Sequence, residues 1–189
     1  MRVIAGEAGG MKLTAPRGIA TRPTSDRVKE ALFSILDSAG HLHEGRILDL
    51  FAGSGSLGIE ALSRGAAHAT FVEKSHPALE AIRLNLTHTR LTDRADLLNM
   101  DVRQALERLT RQRAQFELIL MDPPYQADIY QKIISLVEKN LLAQGGILVA
   151  EAAARTPLPA NSGSLIRFDR RVYGDTALEF YSMEQNDAP

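Results

Sequence analysis

Short apolar runs alternate along the middle of the chain with segments in which apolar residues recur every three or four positions. Such runs predict buried strands, and they lie at 46–51, 69–73, 95–99, 116–121 and 147–150. The segments between them have the spacing of amphipathic helices. Strands that are apolar almost throughout and alternate with helices are typical of a parallel sheet covered on both faces. The pattern therefore predicts an α/β fold.

The two ends of the chain depart from this alternation. Segments 164–172 and 177–183 are extended with no helix between them, which predicts an antiparallel hairpin at the sheet edge. Glycine-rich turns and prolines divide the N-terminal segment, which predicts a hairpin before a helix capped by Thr24 or Ser25. The expected units are an arm at 1–23, a main domain at 24–184 and a frayed tail at 185–189.

The stretch RILDLFAGSGSLG at 46–58 is the feature around which the main domain is organised. It predicts a strand, a glycine-rich turn and the start of a helix. Gly53 and Gly55 lack a Cβ atom, so the chain can turn tightly and a ligand can lie against bare backbone. The N–H groups at the start of the helix can then meet polar ligand atoms. We interpret this stretch as a nucleotide-type cofactor site; a glycine-rich turn without a ligand is the alternative.

Each of the first four predicted strands delivers a carboxylate to the edge where ligands bind in such sheets. The four are Asp49, Glu73, Asp101 and Asp122. Glu73 follows Gly53 by 20 residues, where an acid can accept hydrogen bonds from ribose hydroxyls. A pyrophosphate cofactor would be repelled by this acidic rim, whereas the sulfonium and ammonium groups of S-adenosylmethionine would be attracted to it. The acids therefore favour S-adenosylmethionine, with Asp101 placed to accept from the adenine amine.

The run Asp122-Pro123-Pro124-Tyr125 is the most specific motif in the chain. Two prolines fix the backbone and remove N–H donors, which leaves rigid carbonyl acceptors. Asp122 adds a carboxylate, and Tyr125 offers a flat face for stacking. Such a cluster can hold a planar base by both hydrogens of an exocyclic amine and aim the nitrogen lone pair at a methyl donor. A strand that simply ends in a proline turn is the structural alternative.

Composition limits the remaining possibilities. The chain has 189 residues and no cysteine, so thiolate chemistry and disulfides are excluded. We find no apolar run long enough to span a membrane and no signal-peptide core, and we expect a cytoplasmic protein. The formal net charge is −1, but residues 1–30 hold six Lys or Arg against three acids, which indicates a local basic face. The five histidines are scattered, and no metal site is assigned.

The glycine-rich stretch, Val72-Glu73-Lys74, the later Asp101 and the DPPY run together resemble class I S-adenosylmethionine-dependent methyltransferases that modify amino groups. More narrowly, MRVIAGEAGG, RPTSDRVKEALFSIL and RVYGDTALEFY resemble the RsmD family, from Met1 to about Tyr181. The resemblance implies a Rossmann-like fold with a seven-stranded, mostly parallel sheet, an antiparallel C-terminal hairpin, and a small N-terminal β-hairpin arm plus helix. It also implies methyl transfer to N2 of a guanine in 16S ribosomal RNA, at nucleotide 966 in ribosomal numbering.

Carried over by motif, the resemblance implies three groups of site residues. The residues expected at the target base are Asp122, Pro123, Pro124 and Tyr125. Those expected at the cofactor are Thr24, Asp26, Asp49, Phe51, Gly53, Ser54, Gly55, Glu73, Lys74, Asp101 and Val102. Those expected at the RNA are Arg2, Lys12, Arg17, Arg22, Arg27, Arg170, Arg171 and Tyr173. The Ala8-Gly9-Gly10-Met11 turn lacks the aromatic or basic residues often found there in the family, which leaves fewer phosphate contacts in the arm.

The expected partner is 16S ribosomal RNA within a small subunit or an assembly intermediate, and we expect a monomer that binds no membrane. Two other enzyme classes stay open. A DNA or other RNA amino-methyltransferase could use the same DPPY run, although the chain has no separate target-recognition domain. A nicotinamide-dependent oxidoreductase would also fit Gly53, Gly55 and Gly58, but it would leave the DPPY run without a role.

Overall fold

A computed structural model of the chain describes residues 1–16, 25–123, 127–138 and 141–184. The helices are α1 (Asp26–Ser38), α2 (Ser56–Ser63), α3 (His76–Thr89), α4 (Val102–Arg111) and α5 (Ala127–Val137). The strands are β1 (Arg46–Leu50), β2 (His68–Glu73), β3 (Ala95–Asn99), β4 (Phe116–Met121), β5 (Leu142–Ala153), β6 (Asn161–Ser162), β7 (Leu165–Tyr173) and β8 (Thr176–Met183). Each strand predicted from the hydrophobic pattern is present, and β5 is longer at both ends than its apolar run.

All eight strands form one sheet, in the order β3-β2-β1-β4-β5-β8-β7-β6. Strands β1 to β5 pair in parallel, and β8, β7 and β6 extend the sheet in antiparallel pairing. The strand order reverses between β1 and β4, which makes this the point where such folds bind ligands. The sequence predicted seven strands. The eighth is the two-residue β6, which is too short to produce an apolar run.

Helices cover both faces of the parallel part of the sheet. Apolar side chains of α1, α2 and α3 pack on one face, and those of α4 and α5 pack on the other. We call the first of these the α1–α3 face. Alternation assigns Ile47 and Leu118 to that face, whereas their neighbours Leu48 and Ile119 point to the opposite one. No helix in the described part of the chain is long and apolar enough to cross a bilayer.

The N-terminal segment forms a hairpin that packs on α2. Backbone hydrogen bonds join Val3 to Met11 and Gly10, and the side chains of Val3 and Leu13 are buried in the core. Glu60 in α2 is fully buried and accepts hydrogen bonds from the Ile4 and Ala5 amides, at 2.7 and 3.1 Å. The described part of the predicted arm is thus attached to the helix that follows the glycine-rich turn.

A buried lysine completes this attachment. Lys29 of α1 is 1% exposed, and its Nζ atom lies 3.6 Å from the Glu60 carboxylate. The same Nζ donates to the Arg2 carbonyl and to the hydroxyl of Ser56, the first residue of α2. Burial lowers the pKa of Lys29, and the charges of Glu60 and Asp26 oppose that effect. The hairpin, α1 and α2 therefore meet at one buried ion pair.

Candidate active site at the carboxyl edge of the sheet

The turn after β1 has the backbone geometry that its glycines predict. Gly53 and Gly55 have φ values of 56° and 76°, in the left-handed region that favours glycine. The Gly55 amide donates to the Ala52 carbonyl at 2.7 Å, and Gly55 occupies the N-cap position of α2. A Cβ atom on Gly53 would meet only the Phe51 carbonyl oxygen, at 3.9 Å. The surface of the turn is therefore bare backbone.

Gly58 has a different role from the two glycines in the turn. A Cβ atom at Gly58 would lie 2.3 Å from the Phe71 ring of β2, which is not a possible contact. Its absence lets α2 lie close against the sheet. This close packing brings the first turn of α2 to the end of β1, so that the Gly58 amide donates to the Asp49 carboxylate at 2.9 Å.

Glu73, at the end of β2, holds the turn from the opposite side. One carboxylate oxygen accepts from the Gly53 amide at 2.9 Å, and the other accepts from the amides of Lys74 and Ser75, each at 2.8 Å. Three backbone N–H groups therefore orient one side chain. Glu73 therefore joins the ends of two neighbouring strands beside the bare turn.

Asp49 is the buried acid of the site. It is 2% exposed and lies on the α1–α3 face, under the start of α2. Burial and the nearby charge of Glu73 raise its pKa to about 7, while the hydrogen bond from Gly58 opposes the shift. Asp49 can therefore gain or lose its charge near neutral pH.

Asp101, which follows β3, is the N-cap of α4 and accepts from the Arg103 amide at 3.1 Å. Its second oxygen lies 3.5 Å from the Lys74 Nζ atom. Val102 is the first residue of α4, and 6% of it is exposed. The predicted cofactor residues at the ends of β2 and β3 are therefore neighbours at one edge of the sheet. One carboxylate oxygen of Asp101 is used to cap α4.

On the other side of the reversal point, Asp122 follows β4 directly. Burial raises its pKa well above the ordinary value, and the negative charges of Glu151 and Asp49 add to the shift. Pro123 is buried next to it. Pro124 and Tyr125 lie outside the described residues, as does Thr24 of the predicted cofactor group.

Two residues near this edge were not predicted from the sequence. Glu151 of β5 lies beside the position of Asp122. Asn85 of α3 is 1% exposed and joins the N-terminal segment to the glycine-rich turn. Its Nδ2 donates to the Thr14 and Ser54 carbonyls at 3.0 and 2.9 Å, and its Oδ1 accepts from the Thr14 amide at 2.7 Å. Neither residue could be recognised from the hydrophobic pattern, because a single acid or amide forms no sequence motif.

The predicted RNA residues separate into two groups in the structure. Arg27 and Tyr173, far apart in sequence, line one surface cleft of about 330 Å³. The cleft lies between the start of α1 and the β7–β8 turn, and its lining residues are Ser25, Arg27, Val28, Val172, Tyr173 and Gly174. Lys12 is exposed on the N-terminal hairpin.

The remaining described arginines have carboxylate partners. Arg2 lies 3.3 Å from Asp26, which was predicted at the cofactor, and Arg171 lies 2.8 Å from Asp169. Arg170 donates to the fully buried Glu179 at 3.1 Å and to the Ala154 carbonyl at 2.6 Å. Arg170 thus helps to hold the C-terminal hairpin together. Arg17 and Arg22 fall outside the described residues.

The reversed strand order, the glycine-rich turn after β1 and the acid at the end of β2 together define a Rossmann-like fold of the class I methyltransferase type. The model of the family described as "conserved hypothetical protein 95", the RsmD family, matches residues 1–182, and the chain belongs to this family.

Individual relatives agree with this assignment over nearly the whole chain. The chain is 38% identical to "Putative rRNA methyltransferase YlbH" of Bacillus subtilis, covering 96% of this chain and 98% of the relative. It is 33% identical to "Ribosomal RNA small subunit methyltransferase D" of Escherichia coli, covering 97% and 90%. Among solved structures, a hypothetical protein of Thermus thermophilus superposes with a TM-score of 0.83 at 31% identity, covering 95% of this chain and 98% of that one.

Proposed function

We propose that this protein transfers a methyl group from S-adenosylmethionine to the N2 amine of a guanine in 16S ribosomal RNA. The observation that carries the proposal is the row of acids at one edge of the sheet, with Asp49 and Glu73 beside the bare turn and Asp122 across the reversal point. Relatives named as ribosomal RNA methyltransferases, matched over almost their full length, support the RNA substrate. An enzyme with this substrate would work in the cytoplasm.

The residues at the turn fit S-adenosylmethionine. The bare backbone at Gly53 leaves room for a ligand where a side chain would otherwise stand. The acids suit a cofactor with a sulfonium and an ammonium group, because a positive ligand offsets their mutual repulsion. Glu73 would orient the ribose, Asp101 and Val102 would flank the adenine, and Asp49 would face the cationic end.

When bound, the cofactor supplies an electrophilic methyl group with a neutral thioether as the leaving group. The protein itself has to position the amine and accept the proton that the amine loses. Asp122 and the carbonyl at Pro123 would accept the two hydrogens of N2, and Tyr125 would stack on the base after it leaves the RNA stack. Once methylation has made the nitrogen cationic, Asp122 would take the proton that the nitrogen releases. Positioning supplies most of the acceleration in such a reaction.

The cleft between α1 and the β7–β8 turn is a suitable place for RNA beside the target nucleotide. Arg27 can meet a phosphate, and Tyr173 can stack on a base. Lys12 would extend this contact along the N-terminal hairpin. We expect RNA binding that weakens as salt is raised, because each phosphate contact releases counterions.

The test is transfer of labelled methyl from S-adenosylmethionine to three substrates: small-subunit particles, free 16S RNA and duplex DNA. Particles and RNA must come from cells that lack the endogenous activity, so that the target guanine is unmodified. We expect label on one guanine N2, located by nuclease digestion and mass spectrometry. Label on DNA alone would contradict the proposed RNA substrate but would agree with the proposed cofactor. Absence of label on all three substrates would contradict the proposed reaction.

A further inference from the structure

Glu151 of β5 lies beside the end of β4, which Asp122 follows directly. Met121, the last residue of β4, is paired with Ala150 of β5, so Asp122 and Glu151 each follow directly after one member of that pair. Adjacent strands lie about 5 Å apart. Alternation places both side chains on the α1–α3 face, which Leu120 and Val149 also face. The two carboxyl groups therefore lie near each other on the β4–β5 side of the reversal point, and the charge of Glu151 contributes to the raised pKa of Asp122.

Glu151 lies at a buried and well-fixed point of β5. Glu151 is 8% exposed, and its partner on β8 is the apolar Leu178. From α5, the Tyr130 hydroxyl donates to the backbone carbonyl of Glu151 at 2.8 Å, which fixes this point of β5. Glu179, on the next position of β8, is assigned to the opposite face and is held by Arg167 and Arg170.

The other charged groups around the α1–α3 face are accounted for. Asp49 of β1 and Glu73 of β2 are further acids on that face; Asp49 contributes to the same electrostatic shift as Glu151, and Glu73 accepts from three backbone amides. Lys29 of α1 is directed to Glu60 and Arg2. Arg171 of β7 is in register with Leu178 of β8, and its side chain is paired with Asp169. Arg27 lines the surface cleft. Glu151 is therefore the acid nearest in register to Asp122.

We propose that Glu151 is a positioning residue for the transfer reaction, whose negative charge strengthens Asp122 as the acceptor for the target amine. The inference rests on the proposed function. The amine is neutral before transfer and becomes cationic as it bonds to the methyl carbon. Two adjacent carboxylates stabilise that cation more than they stabilise the neutral amine, and this difference accelerates the reaction. The proton released from nitrogen goes to Asp122, whose affinity for it is increased by Glu151.

The experiment compares the wild type with Glu151→Gln, Glu151→Asp and Glu117→Gln. Asp122 must be ionised to accept from the amine, so transfer fails as the pH falls through the pKa of Asp122. The charge of Glu151 raises that pKa, so E151Q should move the acidic limb of the kcat/KM profile to lower pH. Maximal kcat should fall roughly tenfold to a hundredfold, less than for removal of a group in direct contact. E151D keeps the charge and should keep the limb near its wild-type position.

A second readout does not depend on methyl transfer. Carbon-13 NMR of aspartate-labelled protein reports the titration of Asp122, assigned by the signal that disappears in Asp122→Asn. The midpoint should move to lower pH in E151Q and stay in place in E117Q, which removes the same charge at the opposite end of β4. Unchanged affinity for S-adenosylhomocysteine shows that E151Q is folded. If E151Q does not fold, glutamate-labelled protein makes the reciprocal comparison: the midpoint of Glu151 should move to lower pH in Asp122→Asn.

The outcomes separate the inference from the proposed function. If the midpoint of Asp122 does not move in E151Q, or the midpoint of Glu151 does not move in D122N, the electrostatic coupling of the two residues is overturned. This conclusion does not depend on which substrate the enzyme methylates. A midpoint that moves while kcat and the pH limb stay unchanged overturns the role in transfer. Failure of the wild type to methylate any RNA overturns the proposed function, and the NMR titration would still decide whether the two carboxyl groups are coupled.

Discussion

The two halves of the sheet edge use carboxylates in different ways. On the side of β2 and β3, Glu73 and Asp101 accept hydrogen bonds from backbone amides, three of them at Glu73. On the side of β4 and β5, Asp122 lies near Glu151, and burial together with the charges of Glu151 and Asp49 raises the pKa of Asp122. The first arrangement fixes the geometry of the carboxylates, whereas the second increases the affinity of Asp122 for a proton. We therefore expect variants in the first half to weaken cofactor binding and variants in the second to slow transfer.

The largest expected effect is that of Asp122→Asn. The amide keeps the shape of the side chain but presents N–H groups, so it loses much of its capacity to accept from the target amine. Transfer to unmodified RNA should fall by at least about 10²-fold. The affinity for S-adenosylhomocysteine, measured by calorimetry, should stay nearly unchanged.

Stability gives a second measure of the same variant. Asp122→Asn removes a carboxyl whose ionised form is disfavoured by desolvation and by neighbouring acids, so the free energy of unfolding should rise, by about 1 kcal/mol. A variant that lost cofactor affinity as well as transfer would show that Asp122 belongs with the β2–β3 group, and the contrast between the two halves would then be wrong.

Glu73→Gln should give the opposite result. Glutamine has one acceptor oxygen, so its NH2 group must face backbone N–H donors from either Gly53 or the pair Lys74 and Ser75. Unmade hydrogen bonds of this kind cost about 1–3 kcal/mol. We expect a lower melting temperature in thermal denaturation and a cofactor affinity weaker by roughly tenfold.

The matched control for this variant is Glu80→Gln on the exposed face of α3, where the carboxylate lies 3.6 Å from His76. It removes the same charge without touching the turn and should change neither quantity. If cofactor affinity were unchanged in Glu73→Gln, the assignment of Glu73 to the cofactor site would be wrong.

The sequence predicted the parts of this architecture that depend on local pattern. Apolar runs predicted the strands, the glycines predicted the turn, and spacing put Glu73 beside Gly53, where the structure has a hydrogen bond of 2.9 Å. Ser25 was one of two predicted caps of α1, and its side chain accepts from the Val28 amide. Strand β6 was missed because two residues carry no periodicity.

Contacts between distant residues could not be predicted in this way. Asn85 binds Thr14 at a separation of 71 residues, and Lys29 meets Glu60 across two helices. Arg170 appeared as a surface cation in the sequence, yet the pairing of β7 with β8 places it opposite Glu179. A buried polar residue becomes recognisable only when the register of the sheet brings its partner beside it.

Asn85→Asp tests one of these distant contacts. The aspartate keeps the acceptor for the Thr14 amide, but its second oxygen faces the Thr14 and Ser54 carbonyls where a donor stood. We expect a loss of about 1–3 kcal/mol in the free energy of unfolding by denaturant titration. Because Ser54 belongs to the glycine-rich turn, cofactor affinity should also fall, by a few-fold.

Asn161→Asp, the same substitution at an exposed position of the edge strand β6, is the control and should leave both quantities unchanged. If Asn85→Asp lowered stability while cofactor affinity was kept, Asn85 would brace the hairpin without influencing the turn.

Asp49 combines features of both halves of the sheet edge. Its titration is expected to give the smallest of these effects. It accepts from the Gly58 amide like the β2–β3 acids, yet burial raises its pKa to about 7. Because the folded protein binds this proton more tightly than the unfolded chain does, the contribution of Asp49 to stability is lost as the pH rises from about 4 through about 7. The ammonium group of S-adenosylhomocysteine favours the ionised form of Asp49, so affinity for this ligand should increase over the upper part of this range. Calorimetry in buffers of different ionisation enthalpy should detect proton release on binding below pH 7 in the wild type and none in Asp49→Asn; equal release in both would assign the proton to another group.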